Sequence, residues 1–229
     1  MTMTNPMTVE ERARASCGAS AGAIYRLVAR TIRARHAGGG TLLDVGCGVG
    51  ALWDAVGGGF DHYLGADVVR YEGFPPGGTF LEVDLETGRV PVPDASAEVV
   101  AAVETIEHLE NPRGFVRELT RLARPGGLIV VTTPNQLSLL STLTLVLKGQ
   151  FNAFQEAPGL YPAHRTALLE VDLLRIAREC GLVDPAIRYT DSGRIPFTPR
   201  PWPRGFRGRA FSDNVLLAAT RQEIAARGP

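Results

Sequence analysis

The chain carries no excess charge of either sign. Lys and Arg number 24 and Asp and Glu 24 in 229 residues, so no global field draws it to nucleic acid or acidic lipid. Cysteine is scarce. Cys17, Cys47 and Cys180 are odd in number and far apart, which suits reduced thiols in a cytoplasmic protein better than a disulfide framework. No apolar run reaches the ~18 residues of a membrane span; LSLLSTLTLVL, Leu137 to Leu147, falls short. The first residues, MTMTNPMTVEERARAS, contain no apolar segment of the signal-peptide kind, so a cytoplasmic location is expected. Internal repeats are absent, and His164 is the sole histidine after His108.

What remains is ample apolar material, 45% of residues, enough for the core of one domain over 1–229. Val9 to His36 reads as a helix, with Ile24, Leu27, Val28 and Ile32 at helical spacing. TLLDVG, HYLGADV, TFLEVDL and AEVVAAVE read as four strands, the first followed by a helix over Val49 to Val56. Asn111 can cap a helix with Pro112 in its first position, and Phe115, Val116, Leu119 and Leu122 form its apolar stripe. RPGG stops that helix and LIVVTTP makes a fifth strand. A further helix, Glu170 to Cys180, ends at Gly181, and Pro185–Thr190 and Asn214–Ala219 are two more strand candidates. Strands alternating with helices indicate a parallel sheet covered on both faces.

The glycines of LLDVGCGVG follow a strand and open a helix. Gly46, Gly48 and Gly50 let the backbone turn sharply and approach a ligand, and the helix start offers free N–H groups. Gly46, Gly48 and Ala51 also fit a dinucleotide pattern. Asp44 inside the strand end points elsewhere, since a dinucleotide site is usually apolar there. Asp67 ends the second strand, where a carboxylate accepts both hydroxyls of a ribose, and Asp84 ends the third, where one accepts from an adenine amine.

VETIEHLENP, Val103 to Pro112, places Glu104, Glu107 and His108 at the exit of the fourth strand. Two carboxylates and an imidazole so close serve as metal ligands, as a catalytic base, or as a polar strand end without chemistry.

These pieces, with LARPGGLIVVTTPN, occur in the order found in class I S-adenosylmethionine-dependent methyltransferases, and the chain resembles that family over about Thr41 to Asn135. The resemblance implies a Rossmann-like α/β fold: a doubly wound, mostly parallel seven-stranded sheet whose last strand is antiparallel. It implies S-adenosylmethionine as cofactor, with Asp44, Gly46, Cys47, Gly48 and Gly50 around the methionine part, Asp67 and Val68 at the ribose, Asp84 and Leu85 at the adenine, and Glu104 beside the bound cofactor. The E-x-x-E-H spacing is similar to the ubiquinone-biosynthesis O-methyltransferases and to small-RNA 2′-O-methyltransferases. In the latter two Glu and two His hold a divalent metal; Glu104, Glu107, His108 and His164 would be that set here. Without a metal, Glu107, His108 and His164 are the catalytic candidates.

The expected activity is methylation of a small molecule at oxygen. The alternatives are a metal-dependent RNA 2′-O-methyltransferase-like enzyme and an inactive cofactor-binding partner protein. Neutral charge weighs against nucleic acid, although Arg188, Arg194, Arg200, Arg204, Arg207 and Arg209 crowd one aromatic-rich late loop. Three segments are expected to cap the substrate: 1–36 as an N-terminal helical cap, and 136–165 and 191–212 as insertions. The apolar Leu137–Phe154 stretch reads equally as core packing, as a lid over a hydrophobic acceptor, or as a peripheral membrane contact. TPN, an apolar insertion and a His before a helix ending ARECGL resemble glycan and natural-product methyltransferases, which implies hydroxyl acceptors. Monomer and homodimer both remain open.

Overall fold

The computed structural model describes residues 8–15, 18–56, 58–157 and 159–223. Cys17 and residues 1–7 of the expected cap lie outside them. Seven strands form one sheet: β1 Thr41–Val45, β2 His62–Asp67, β3 Thr79–Glu82, β4 Ala97–Ala102, β5 Ala123–Pro134, β6 Leu182–Tyr189 and β7 Asn214–Arg221. Their order is β3-β2-β1-β4-β5-β7-β6. β7 runs antiparallel to both neighbours, and the other pairings are parallel. The expected fold class is therefore the observed one. Strand order reverses between β1 and β4, which opens a crevice at their C-terminal ends.

Among the described residues six α-helices accompany the sheet: α1 Val9–Ala15, α2 Gly22–Arg35, α3 Ala51–Val56, α4 Pro112–Leu122, α5 Leu139–Lys148 and α6 Glu170–Glu179. Successive residues of the strands feed opposite cores. Leu43, Val45, Val100 and Ile129 pack with Phe115, Leu119, Leu173 and Ile176 on one side. Leu42, Val99, Leu128 and Val130 pack with Ile24, Val28, Ile32 and Leu52 on the other. α4 begins as the sequence indicates, with Asn111 Oδ1 accepting the Gly114 N–H at 2.8 Å and Pro112 in the first turn.

Among the boundaries that differ from the sequence reading, four have a local cause. The expected N-terminal helix is two helices, because the chain turns at Gly18, whose φ is +61°, before α2 starts. α3 starts at Ala51 rather than Val49, since Gly50 is left-handed at φ +78°. β5 begins at Ala123, ahead of the RPGG turn, and takes a register irregularity opposite Ala97/Val99 to absorb it. β6 begins at Leu182, and Pro185, which has no N–H to donate, falls in a bulge between Val183 and Ala186.

Leu119 has no exposure and Val146 has 74%. Leu119→Ala is expected to lower unfolding free energy by about 2–5 kcal/mol, and Val146→Ala to change it by less than about 0.5 kcal/mol. Denaturant melts of the two variants beside the parent measure the contrast.

Candidate functional site

The crevice between β1 and β4 is a cavity of about 250 Å³. One wall is the glycine loop and the ends of β2 and β4: Gly46, Gly48, Asp67, Val68, Leu85, Val103 and Glu104. Glu107, His108, Leu160 and His164 form another part of the lining. The roof comes from the N-terminal segment, through Arg12, Ser20 and Tyr25. Two of the expected capping segments, 1–36 and 136–165, thus reach the cavity.

Backbone proximity explains the glycines. A Cβ on Gly46 would lie 2.3 Å from Thr105 Oγ1, and one on Gly48 would lie 2.0 Å from the Gly18 carbonyl oxygen. Val49 N–H donates to that same carbonyl at 2.9 Å. The N-terminal segment is therefore laid directly across the loop. Asp67 holds the loop from below: Oδ2 accepts the Gly48 N–H at 2.9 Å and Oδ1 the Val68 N–H at 2.7 Å. Oδ1 also accepts the Val69 N–H at 3.4 Å, which leaves Oδ2 the oxygen with a lone pair for a ligand hydroxyl.

Carboxyl groups gather here without cations. Asp44 is 2% exposed; Oδ2 accepts from the Tyr63 hydroxyl at 3.0 Å and Oδ1 has no partner. Burial pushes Asp44 up to about 7, the Tyr63 bond opposing the rise. Glu104 adopts a left-handed backbone, φ +50°, which a non-glycine residue holds only under constraint. Its N–H donates to Thr132 Oγ1 at 2.9 Å, Oε2 accepts from Asn214 Nδ2 at 2.7 Å, and Oε1 is buried without a partner. Burial raises it to about 7 as well. Glu107 is fully buried, and neither side-chain oxygen has a hydrogen-bond partner among the described residues. Burial first, then the charge of Glu104, holds its carboxyl well above the usual range.

Facing Glu107 are two imidazoles. His108 Nδ1 lies 3.0 Å from the Ala163 carbonyl and His164 Nδ1 2.9 Å from the Ala153 carbonyl. A carbonyl only accepts, so both Nδ1 atoms carry the proton and each neutral ring keeps its lone pair on Nε2. His164 Nε2 is 4.0 Å from Glu107 Oε1, and the two rings meet edge to face at 4.8 Å. Burial lowers both histidines, His164 to about 4. Glu107, His108 and His164 each offer one ligand atom within 4.8 Å of the others.

Of the sequence-derived residues, the cavity collects Gly46, Gly48, Asp67, Val68, Leu85, Glu104, Glu107, His108 and His164. Asp44, Cys47 and Gly50 sit behind the loop and do not line it. Asp84 also stays out of the lining: its oxygens accept from Glu86 N–H at 2.9 Å and the Thr87 hydroxyl at 3.0 Å, closing its own turn. Glu104 lies outside the three-residue ligand group. Tyr25, Arg12 and Glu86 line the cavity without having been picked out from sequence; Arg12 pairs with Glu86 at 3.5 Å. No helix among the described residues is long and apolar enough to cross a membrane.

Residues 18–184 match the family described as a methyltransferase domain. A probable S-adenosylmethionine-dependent methyltransferase of Mycolicibacterium smegmatis is 30% identical over 163 residues, covering 69% of this chain and 63% of that protein. The chain therefore spans less than two-thirds of that relative's length. A ubiquinone biosynthesis O-methyltransferase of Thiobacillus denitrificans is 29% identical over 198 residues, 81% of this chain and 79% of that one. A crystal structure of a SAM-dependent methyltransferase from Archaeoglobus fulgidus superposes with a TM-score of 0.61 at 17% identity, covering 86% and 94% of the two chains, which establishes the common fold.

The elevated Asp44 makes a pH prediction. Its folded value, about 7, exceeds the unfolded value of about 3.9, so the folded state alone keeps the proton between them. Stability contributed by this group is full below about pH 4 and is lost as pH climbs through about 7. Asp44→Asn does not ionise. Its stability relative to the parent should rise across that window by an amount on the order of 4 kcal/mol. Melting curves from acid to neutral pH check this, and a pH-independent difference would refute it.

Proposed function

Because the chain belongs to the S-adenosylmethionine-dependent methyltransferase family, we propose that it binds that cofactor in this cavity and moves its methyl group to an oxygen atom of a small molecule. One observation carries the reading: the glycine loop and the Glu107–His108–His164 cluster line a single cavity. The fit to the cofactor rests on Gly46 and Gly48, which line the cavity, and on Asp67 at the end of β2. The relative's name as an O-methyltransferase supports oxygen as the acceptor atom.

The bound cofactor supplies a sulfonium methyl group that is already activated, so the protein needs to align an acceptor, remove its proton and keep water out. Gly46 and Gly48 let the loop backbone approach the ligand closely. Asp67 accepts from ribose hydroxyls. Leu85 offers an apolar surface to the base. Tyr25 and Ser20 close the roof against water.

Glu107, His108 and His164 fit a divalent cation of the Mg²⁺, Mn²⁺ or Zn²⁺ kind. Each imidazole presents an open Nε2, with its tautomer set by a carbonyl on the other nitrogen, the arrangement a metal-ligating histidine needs. Neither side-chain oxygen of Glu107 has a hydrogen-bond partner among the described residues. A cation held there lowers the pKa of an acceptor hydroxyl. The second reading makes His164 a general base, favoured by its 4.0 Å approach to Glu107. The ligand role ranks first because the ligand atoms of Glu107, His108 and His164 all lie within 4.8 Å of one another.

Calorimetric titration with S-adenosylhomocysteine should show binding that Asp67→Ala weakens about 10- to 100-fold; absence of binding by the parent sinks the cofactor assignment. Methyl transfer to a catechol probe should stop with EDTA and return with Mn²⁺ or Mg²⁺. His164→Ala and Glu107→Gln should lose Mn²⁺ binding and keep S-adenosylhomocysteine binding. Transfer that survives EDTA but not His164→Ala selects the base reading. Full activity in Glu107→Gln and His108→Ala makes the cluster structural.

A further inference from the structure

α5 is built inside out. Its buried side chains are Leu140, Ser141 and Thr144. The polar ones are satisfied locally: Ser141 Oγ donates to Gln136 Oε1 at 3.3 Å and accepts the Asn152 N–H at 3.3 Å, and Thr144 Oγ1 donates to the Leu140 carbonyl at 2.7 Å. Outward it presents Leu139, Leu143, Leu145, Val146 and Leu147, the last two 74% and 67% exposed. A helix on an aqueous surface orients the other way, and a contiguous apolar patch of this kind marks a contact surface. From Asn135 to Gln155 the chain contains no Asp or Glu and one cation, Lys148.

The late loop, bonded to the segment that leads into α5, adds charge. Between Asp191 and Asp213 there is no acid and there are five arginines. Arg194 pairs with Asp213 at 2.9 Å. Arg200, Arg204, Arg207 and Arg209 are exposed and form no ion pair with a described residue. Phe197 and Phe206 are exposed among them, 67% and 47%. Loop and helix leave the same edge of the sheet. Asn135, four residues ahead of α5, donates its Nδ2 to the Arg209 carbonyl at 2.7 Å and the Ser212 carbonyl at 2.8 Å.

We propose that α5 and the arginine loop together form a docking face for an anionic lipid bilayer surface, with the leucines and Val146 entering the acyl boundary and the arginines meeting the headgroups. Charge complementarity selects this occupant. Unpaired arginines beside an apolar helix match an anionic interface, whereas a second copy of the chain seated on the same face would set its arginines against these. The face also leads somewhere. A groove of about 890 Å³ runs beside α5, lined by Leu145, Phe151, Phe154, Tyr161 and Arg165. The Phe154 ring packs on His164 at 5.4 Å, and His164 is the wall of the cavity. Resting on the proposed methyl transfer, the acceptor is then an amphiphile held in the bilayer, its hydroxyl-bearing head passed along this groove.

Docking is measured without cofactor or acceptor, so its failure and a failure of the methyl-transfer reading are separate results. The full chain is sedimented with phosphatidylcholine vesicles with and without phosphatidylglycerol. The expected result is co-sedimentation with the anionic vesicles alone, weakened about tenfold or more both by Val146→Glu with Leu147→Glu and by Arg200→Glu, Arg204→Glu and Arg207→Glu together. Added salt should weaken the parent strongly and the arginine variant little. All these side chains are exposed, so melting temperatures should match the parent. Failure to sediment with either vesicle overturns the proposal. So does sedimentation that neither variant set alters, and so does a dimer in light scattering that the α5 variant dissolves while lipid binding persists.

Discussion

Three carboxyl groups buried without a cation, Asp44, Glu104 and Glu107, are the constraint around which this molecule is arranged. Each keeps at least one oxygen with no partner, and each such group costs about 1–3 kcal/mol relative to a satisfied one. No lysine lines the cavity, and the arginine that does, Arg12, pairs with Glu86. The two cores on either face of the sheet must offset that cost. They can, because strands β1, β4, β5 and β7 contribute side chains to both sides and leave almost none of them exposed. Asp44 is the last residue but one of β1, and Glu104 and Glu107 follow the end of β4, where the backbone has left the ladder.

That placement accounts for what could be read in the sequence. Glycines before a helix, an acid at each of three strand ends and a Pro-capped helix after VETIEHLENP are local signals, and local signals survive folding. Asn111 and the glycine loop took the geometry their chemistry dictates. The errors came where a neighbour overrode local preference. Val9 to His36 has helical composition throughout, but the glycine loop needs a cover and Gly18 supplies the turn. Asp84, a candidate ligand-binding acid, is a separate case: its oxygens also close its own turn through the Glu86 N–H and the Thr87 hydroxyl. α5 kept its helical propensity and reversed its faces, which periodicity alone does not reveal, since a stripe of leucines looks the same whether it faces in or out.

The Glu107, His108 and His164 part of the lining was visible as residue types but not as a shape. His164 joins His108 through tertiary contact, the Ala163 carbonyl meeting a ring 55 positions earlier. The Arg165 and Thr166 N–H groups both donate to the Glu107 carbonyl, at 2.8 and 3.0 Å. These stitches are backbone on at least one side. They are insensitive to the side chains of the insertion they anchor, and no pattern in that insertion announces them. The same holds for Tyr25 and Arg12, which reach the cavity because α1 and α2 cross it and not through any motif of their own.

The contact between Gly18 and Gly48 has a consequence for how such a chain can vary. The roof is registered to the loop through a carbonyl and a missing methyl group, with no side chain taking part. Roof side chains that are not engaged as Arg12 is by Glu86 can then vary with whatever acceptor must be enclosed, as long as the path of the chain over position 48 is kept. Substitution tolerates that freedom and length change does not: a single inserted residue between α1 and α2 would move the carbonyl off the loop and uncover the cavity, leaving every motif intact.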